Sequence, residues 1–143
     1  MKVSCSVDIH APAEKVYEIF MDIEKLPERI DQITKVEIVD SDKTPHWIET
    51  RKIMGKEATE EMWTAKKAVG ESWTVEAESR GTHYITDHIL TEKDGVTTIT
   101  INFSGTPISL GAKLMTPLSL LMKGSVKKML LADMNALKAV IES

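Results

Sequence analysis

The chain has 143 residues, 42% hydrophobic and 28% charged, which is ordinary globular usage, excludes disorder and fibrous repeats, and predicts a single domain over residues 1–143. Its net charge of −4, with no run of Lys or Arg, disfavours nucleic acid as a partner, and Cys5 alone allows neither an internal disulfide nor a cysteine-based metal site. Met1 to Ile9 alternate apolar and polar instead of forming a signal-peptide core, and no later stretch reaches membrane-spanning length, so a cytoplasmic location is expected.

Val3, Cys5, Val7 and Ile9 recur at period two and predict a strand with one buried face, on which Cys5 serves as a small hydrophobe. Ala11-Pro12-Ala13-Glu14 opens a helix with Pro in its first turn, and Val16, Ile19 and Phe20 form its apolar stripe. A second short helical segment is expected from about Asp22 to Ile30. From residue 33 the period returns to two, in Val36 and Ile38, then Trp47 to Ile53, Met62 to Thr64, Trp73 to Ala77, Tyr84 to Leu90 and Ile99 to Phe103. Turn chemistry divides these strands at Ser41 to Pro45, Met54-Gly55-Lys56, Val69-Gly70, Arg80-Gly81 and Asp94-Gly95, so consecutive strands are expected to pair antiparallel. After Gly105-Thr106-Pro107, residues Leu114, Leu118, Leu121, Met122, Met129, Leu130, Leu137 and Ile141 predict a long helix over about 110–142. Thr116-Pro117 is expected to kink it or to start a fresh helix, leaving a run of about 25 residues, about 37 Å long at the helical rise.

The predicted class is α+β: a seven-stranded curved antiparallel sheet wrapped around a long C-terminal helix, with two short helices between strands 1 and 2. A twisted sheet folded around one helix leaves a space that is either a pocket or a core closed by large side chains. The eight Met, with Met115, Met122 and Met129 at spacing seven, suit a wall that adapts to an apolar ligand and equally suit core filling.

This element order, with Ile9-His10-Ala11-Pro12-Ala13-Glu14-Lys15-Val16-Tyr17 after the first strand, resembles the START-like, birch-pollen-allergen-like superfamily along the full chain. Trp47 to Arg51, Gly55 to Glu60, Ser79 to Thr82 and Lys113 to Leu118 look like its bacterial polyketide cyclase/dehydrase and lipid-transport branch. The resemblance implies a helix-grip fold with a cavity for lipids, polyketides, sterols or similar molecules. It implies no particular reaction, because many such proteins bind without chemistry. The implied wall comprises Trp47, Met62, Trp73 and Val75, then Tyr84, Thr86 and His88, then Ile101 and Phe103 on strands, with Met115, Leu118, Met122 and Met129 on the helix.

A two-residue turn at Met54-Gly55 places Arg51 opposite Ala58, Glu49 opposite Glu60 and Trp47 opposite Met62, all on one face. Two acids flanking one Arg can have separated pKa values and act as acid and base in enolisation or dehydration, or can simply hold the strands in register. Tyr84 and His88 share a face about 13 Å apart, too far for a direct catalytic pair but suited to the two ends of one ligand. The catalytic candidates are therefore Glu49, Arg51, Glu60 and His88. His10, His46, His83 and His88 lack metal-ligand spacing, and no nucleotide or serine-hydrolase motif is present, so no metal or cofactor is expected. Lys113, Lys123, Lys127 and Lys128 read as a solvated helix face or as a weak, transient membrane contact. The expected partner is an apolar small molecule, the oligomeric state is open between monomer and homodimer, and three readings stand: ligand carrier, cyclase/dehydratase, or protein-binding adaptor.

Overall fold

Strand β1 (Lys2–Ile9) buries Val3, Cys5 and Ile9 and exposes most of the residues between them, as its alternation requires. In the computed structural model, which describes residues 1–40, 45–53 and 55–143 apart from the side chains of Asp40, Leu118 and Ser119, six further strands follow. They are β2 (Ile33–Asp40), β3 (His46–Ile53), β4 (Lys56–Ala68), β5 (Ser72–Ser79), β6 (Thr82–Lys93) and β7 (Val96–Pro107). The turn expected at Ser41 to Thr44, and Met54, lie outside the described residues. The sheet order is β1-β7-β6-β5-β4-β3-β2, with every neighbour antiparallel, which is the outcome of successive short hairpins closed by β1 on β7. A register shift between Thr64 and Lys66 adds curvature to β4.

Between β1 and β2 lie helix α1 (Ala13–Phe20), a 3-10 turn (Ile23–Lys25) and helix α2 (Leu26–Arg29). Pro12 caps α1 from an extended conformation instead of occupying its first turn. Val16 and Phe20 of α1 and Leu26 of α2 face the core.

The C-terminal segment is broken twice, where the sequence leads one to expect a single break at Thr116-Pro117. It forms α3 (Leu110–Leu114), α4 (Thr116–Leu120) and α5 (Lys123–Glu142), the last having 20 residues and hence a length of about 30 Å. The break at Met115 agrees with a restart at Thr116-Pro117, whereas the break at Leu121 and Met122 has no counterpart in the apolar pattern, which runs unbroken across it. Helix α5 buries Leu130, Met134, Leu137 and Ile141, spaced four, three and four residues apart, so one stripe of it faces the sheet. Its close backbone neighbours are β1, α1 and α2, and its Asp133 reaches across to Arg51 of β3.

Candidate functional site

The strand register aligns side chains in rows across the concave face. One row runs Trp47, Met62, Ala77, Tyr84 to Gly105, and the next runs Thr64, Val75, Thr86, Phe103 to Val3. A third places His88 between Trp73 and Ile101. Trp47, Ala77 and Gly105 of the first row, Thr64 and Val3 of the second, and Trp73 and Ile101 of the third are buried, while Met62, Val75, Tyr84, Thr86, His88 and Phe103 among them are only partly buried. Side chains left partly buried beside buried ones are what an arched sheet under a single helix produces.

The polar cluster sits at the β3–β4 side of this face. The register places Arg51 opposite Ala58, Glu49 opposite Glu60 and Trp47 opposite Met62, and the buried partner of the trio is the helix. The Arg51 guanidinium donates from both terminal nitrogens to Asp133 of α5, at 3.1 and 2.8 Å, and from Nε to Glu49 at 3.3 Å. This two-pronged pair ties β3 to α5. Sequence reasoning missed Asp133, whose one signal is its place as the first acid after Asp94 in the otherwise apolar and basic stretch that ends in α5.

Burial pushes the Glu49 carboxyl above the ordinary carboxylate range, against the pull of Arg51, with Asp133 and Glu60 adding repulsion. Burial raises Glu60 as well, opposed by Arg51, by Arg80 and by a hydrogen bond from Ser79. Glu60 thus remains partly exposed beside the groove with a raised pKa, while Arg51 and Glu49 are almost wholly enclosed.

His88 stacks on Trp73 with ring centroids 4.5 Å apart and planes at 7°, and burial lowers its pKa to about 4. The imidazole is therefore neutral near pH 7. Trp73 is itself held by Tyr17 and Phe20 of α1 in edge-to-face contacts, so it closes the α1 end of the groove more than it lines the middle. Tyr84 stacks on Phe103 at 5.5 Å. The indole Nε1 of Trp47 and the hydroxyl of Thr64, both buried, have no hydrogen-bond partner among the described residues, which is costly unless water or another polar group meets them.

The methionine stripe does not form. Met115 and Met122 are 54% and 44% exposed, because breaks in the helix near each of them put the spacing of seven out of phase; Met129 is partly buried and Met134 is the fully buried methionine of α5. The side chain of Leu118 lies outside the described residues. His46 and His83 belong to the other, convex face, where they pair with Glu61 and with Glu76 and Glu78. Among the described residues no three His, Cys, Asp or Glu side chains converge as metal donors.

Comparison with solved structures finds the same architecture at low identity. An aromatase/cyclase, Zhui, from Streptomyces sp. R1128 superposes with a TM-score of 0.85 at 17% identity, over 99% of this chain and 93% of that one. A START superfamily protein from Mycobacterium smegmatis gives 0.76 at 16% identity, over 99% and 97%, and TTHA0849 from Thermus thermophilus gives 0.75 at 17%, over 98% and 99%. At these identities the likeness is one of fold. No curated protein matches significantly. The family model for polyketide cyclase / dehydrase and lipid transport matches residues 1–142, and the chain belongs to that family, within the START-like helix-grip superfamily that its sequence resembles.

Proposed function

We propose that the protein binds a small apolar molecule between the concave face of the sheet and α5, to carry or sequester it. The observation that carries this reading is the set of half-buried, mainly apolar side chains, Met62, Val75, Tyr84, Thr86 and Phe103, in two adjacent rows of the face turned to the core, with buried Trp47, Ala77 and Thr64 among them. Two hollows open to the outside, one of about 450 Å³ beside Tyr17 and Val69, and one of about 260 Å³ where Val3, at the β1 end of the second row, meets Lys123 and Lys127 of α5. The ligand enters in this reading by local opening, and the segment from Leu110 to Met122, broken into short helices and held at the β7 and Gly81 end of the sheet, is the piece with least to lose. A fluorescent apolar dye, anilinonaphthalene sulfonate, tests the proposal. Binding is expected to saturate at one molecule per chain and to weaken at least tenfold in Thr86→Trp, which fills the middle of the face; an unchanged affinity in a folded variant argues against it.

The raised carboxyl of Glu60 at the edge of the groove favours a second reading, a cyclase/dehydratase. Glu60 as carboxylate would take a proton from a carbon between two carbonyls, the enolate carbon would close a ring on a further carbonyl, and the returned proton would make its oxygen a hydroxyl; removal of the remaining proton from the same carbon by Glu60 and its delivery to that hydroxyl would then expel water. Turnover of a poly-β-carbonyl thioester that falls at least a hundredfold in Glu60→Gln supports this reading, and cyclisation equal in the variant contradicts it.

A further inference from the structure

We infer that the face built by residues 108–128 docks on an anionic lipid bilayer. Leu110, Leu114 and Leu121 are 75%, 73% and 81% exposed, and Ile108, Met115 and Met122 are about half exposed. A soluble monomer rarely gathers so many large apolar side chains in one short segment. The same stretch is basic in an acidic protein. Between Asp94 and Asp133 there are four lysines and no Asp or Glu, although the whole chain carries −4. Lys113, Lys123, Lys127 and Lys128 are all exposed, and Lys2 joins Lys123 and Lys127 around the hollow of about 260 Å³ at the start of α5.

The fold brings these groups to one end of the molecule. Ile108 and Ser109 donate their backbone N–H groups to the Gly81 carbonyl, at 2.8 and 3.1 Å. Met1 pairs with Gly105 in both directions, which sets Lys2 beside the end of β7. Apolar side chains that enter the acyl boundary, with lysines at the level of the phosphates, are the chemistry of an interfacial anchor. No helix among the described residues is long and apolar enough to cross a membrane, so the geometry points to lying on the bilayer. A second copy of the chain fits the surface less well, because a two-fold contact sets each patch against itself and lysines against lysines. This inference stands whether or not the concave face holds a ligand.

Co-sedimentation of the full chain with phosphatidylcholine vesicles, with and without phosphatidylglycerol, tests it. Binding is expected only to the vesicles containing phosphatidylglycerol and is expected to fall at high salt. The pair Lys123→Glu and Lys127→Glu should weaken it roughly tenfold or more, and Leu114→Asp with Leu121→Asp should abolish it while leaving the thermal midpoint within a few degrees, since both side chains are exposed. Absence of binding to anionic vesicles, equal binding by the variants, or dimerisation that the leucine variants abolish while vesicles stay unbound would overturn the inference.

Discussion

Arg51 lies almost enclosed between Glu49 and Asp133, and the energetics of such a cluster are asymmetric. Removing the cation leaves two buried carboxylates facing each other, so Arg51→Met is expected to lower the urea-unfolding free energy by about 3–5 kcal/mol. Adding Glu49→Gln and Asp133→Leu to that variant removes the uncompensated charge and should recover most of the loss. His88 makes a separate claim about pH. Its folded pKa of about 4 lies below the ordinary 6.5, so on acidification the unfolded chain takes up a proton that the folded one refuses. Stability is therefore full above about pH 6.5 and falls toward pH 4, by at most about 3 kcal/mol from this group. In His88→Phe, which keeps a ring against Trp73, unfolding midpoints measured across that range should vary less with pH than in the wild type. Glu49 and Glu60 act in the same region with the opposite sign, because acids whose pKa is raised by folding cost stability as pH rises past the ordinary carboxylate range.

Among the elements, the β3–β4 hairpin was the most legible. Gly55 with φ of +79° supplies the positive-φ position of a two-residue connection, and that connection determines each pair from Ile53–Lys56 to His46–Trp63. The face of Glu49, Arg51 and Glu60 could not be read from the alternation alone, since one face carries Trp47 and the other Ile48; packing against α5 decides it. The C-terminal segment was legible as a long helix with a break at Thr116-Pro117, and the second break, at Leu121 and Met122, was not. Tertiary contacts hold the segment at both ends. At one end Gly81, φ +76°, receives α3 so closely that an added Cβ would run into Ser109, with its Cβ at 2.7 Å. Gly81→Ala is thus expected to destabilise the protein by more than the ordinary cost of a strained turn, about 1–3 kcal/mol, and to speed amide exchange in α3 and α4. Gly111 has open space around it inside α3, and Gly111→Ala should stabilise the fold by up to about 1 kcal/mol. In the wild type, amides of 110–122 are expected to exchange faster than those of 126–140, where Leu130, Met134 and Leu137 are buried. Equal protection along both stretches would contradict a weak segment before α5.

At the scale of the whole molecule, the sheet, its order of elements and the helix laid across it were readable because period two and turn residues recur along the chain, and because the combination resembles one superfamily. The site was readable only in part. Asp133 joins Arg51 across 82 residues of sequence, a distance no local pattern spans, and the position of Met115 and Met122 depended on helix breaks that apolar spacing does not report. Where the ligand lies is tested most directly by amide chemical-shift mapping with anilinonaphthalene sulfonate, because the dye has two apolar places to go. Perturbations that centre on Val75, Thr86 and Phe103 and spread to the amides of α5 over the groove are the expected result. Perturbations confined to residues 108–122, or scattered over the convex face around Trp63, would contradict a ligand held between sheet and helix.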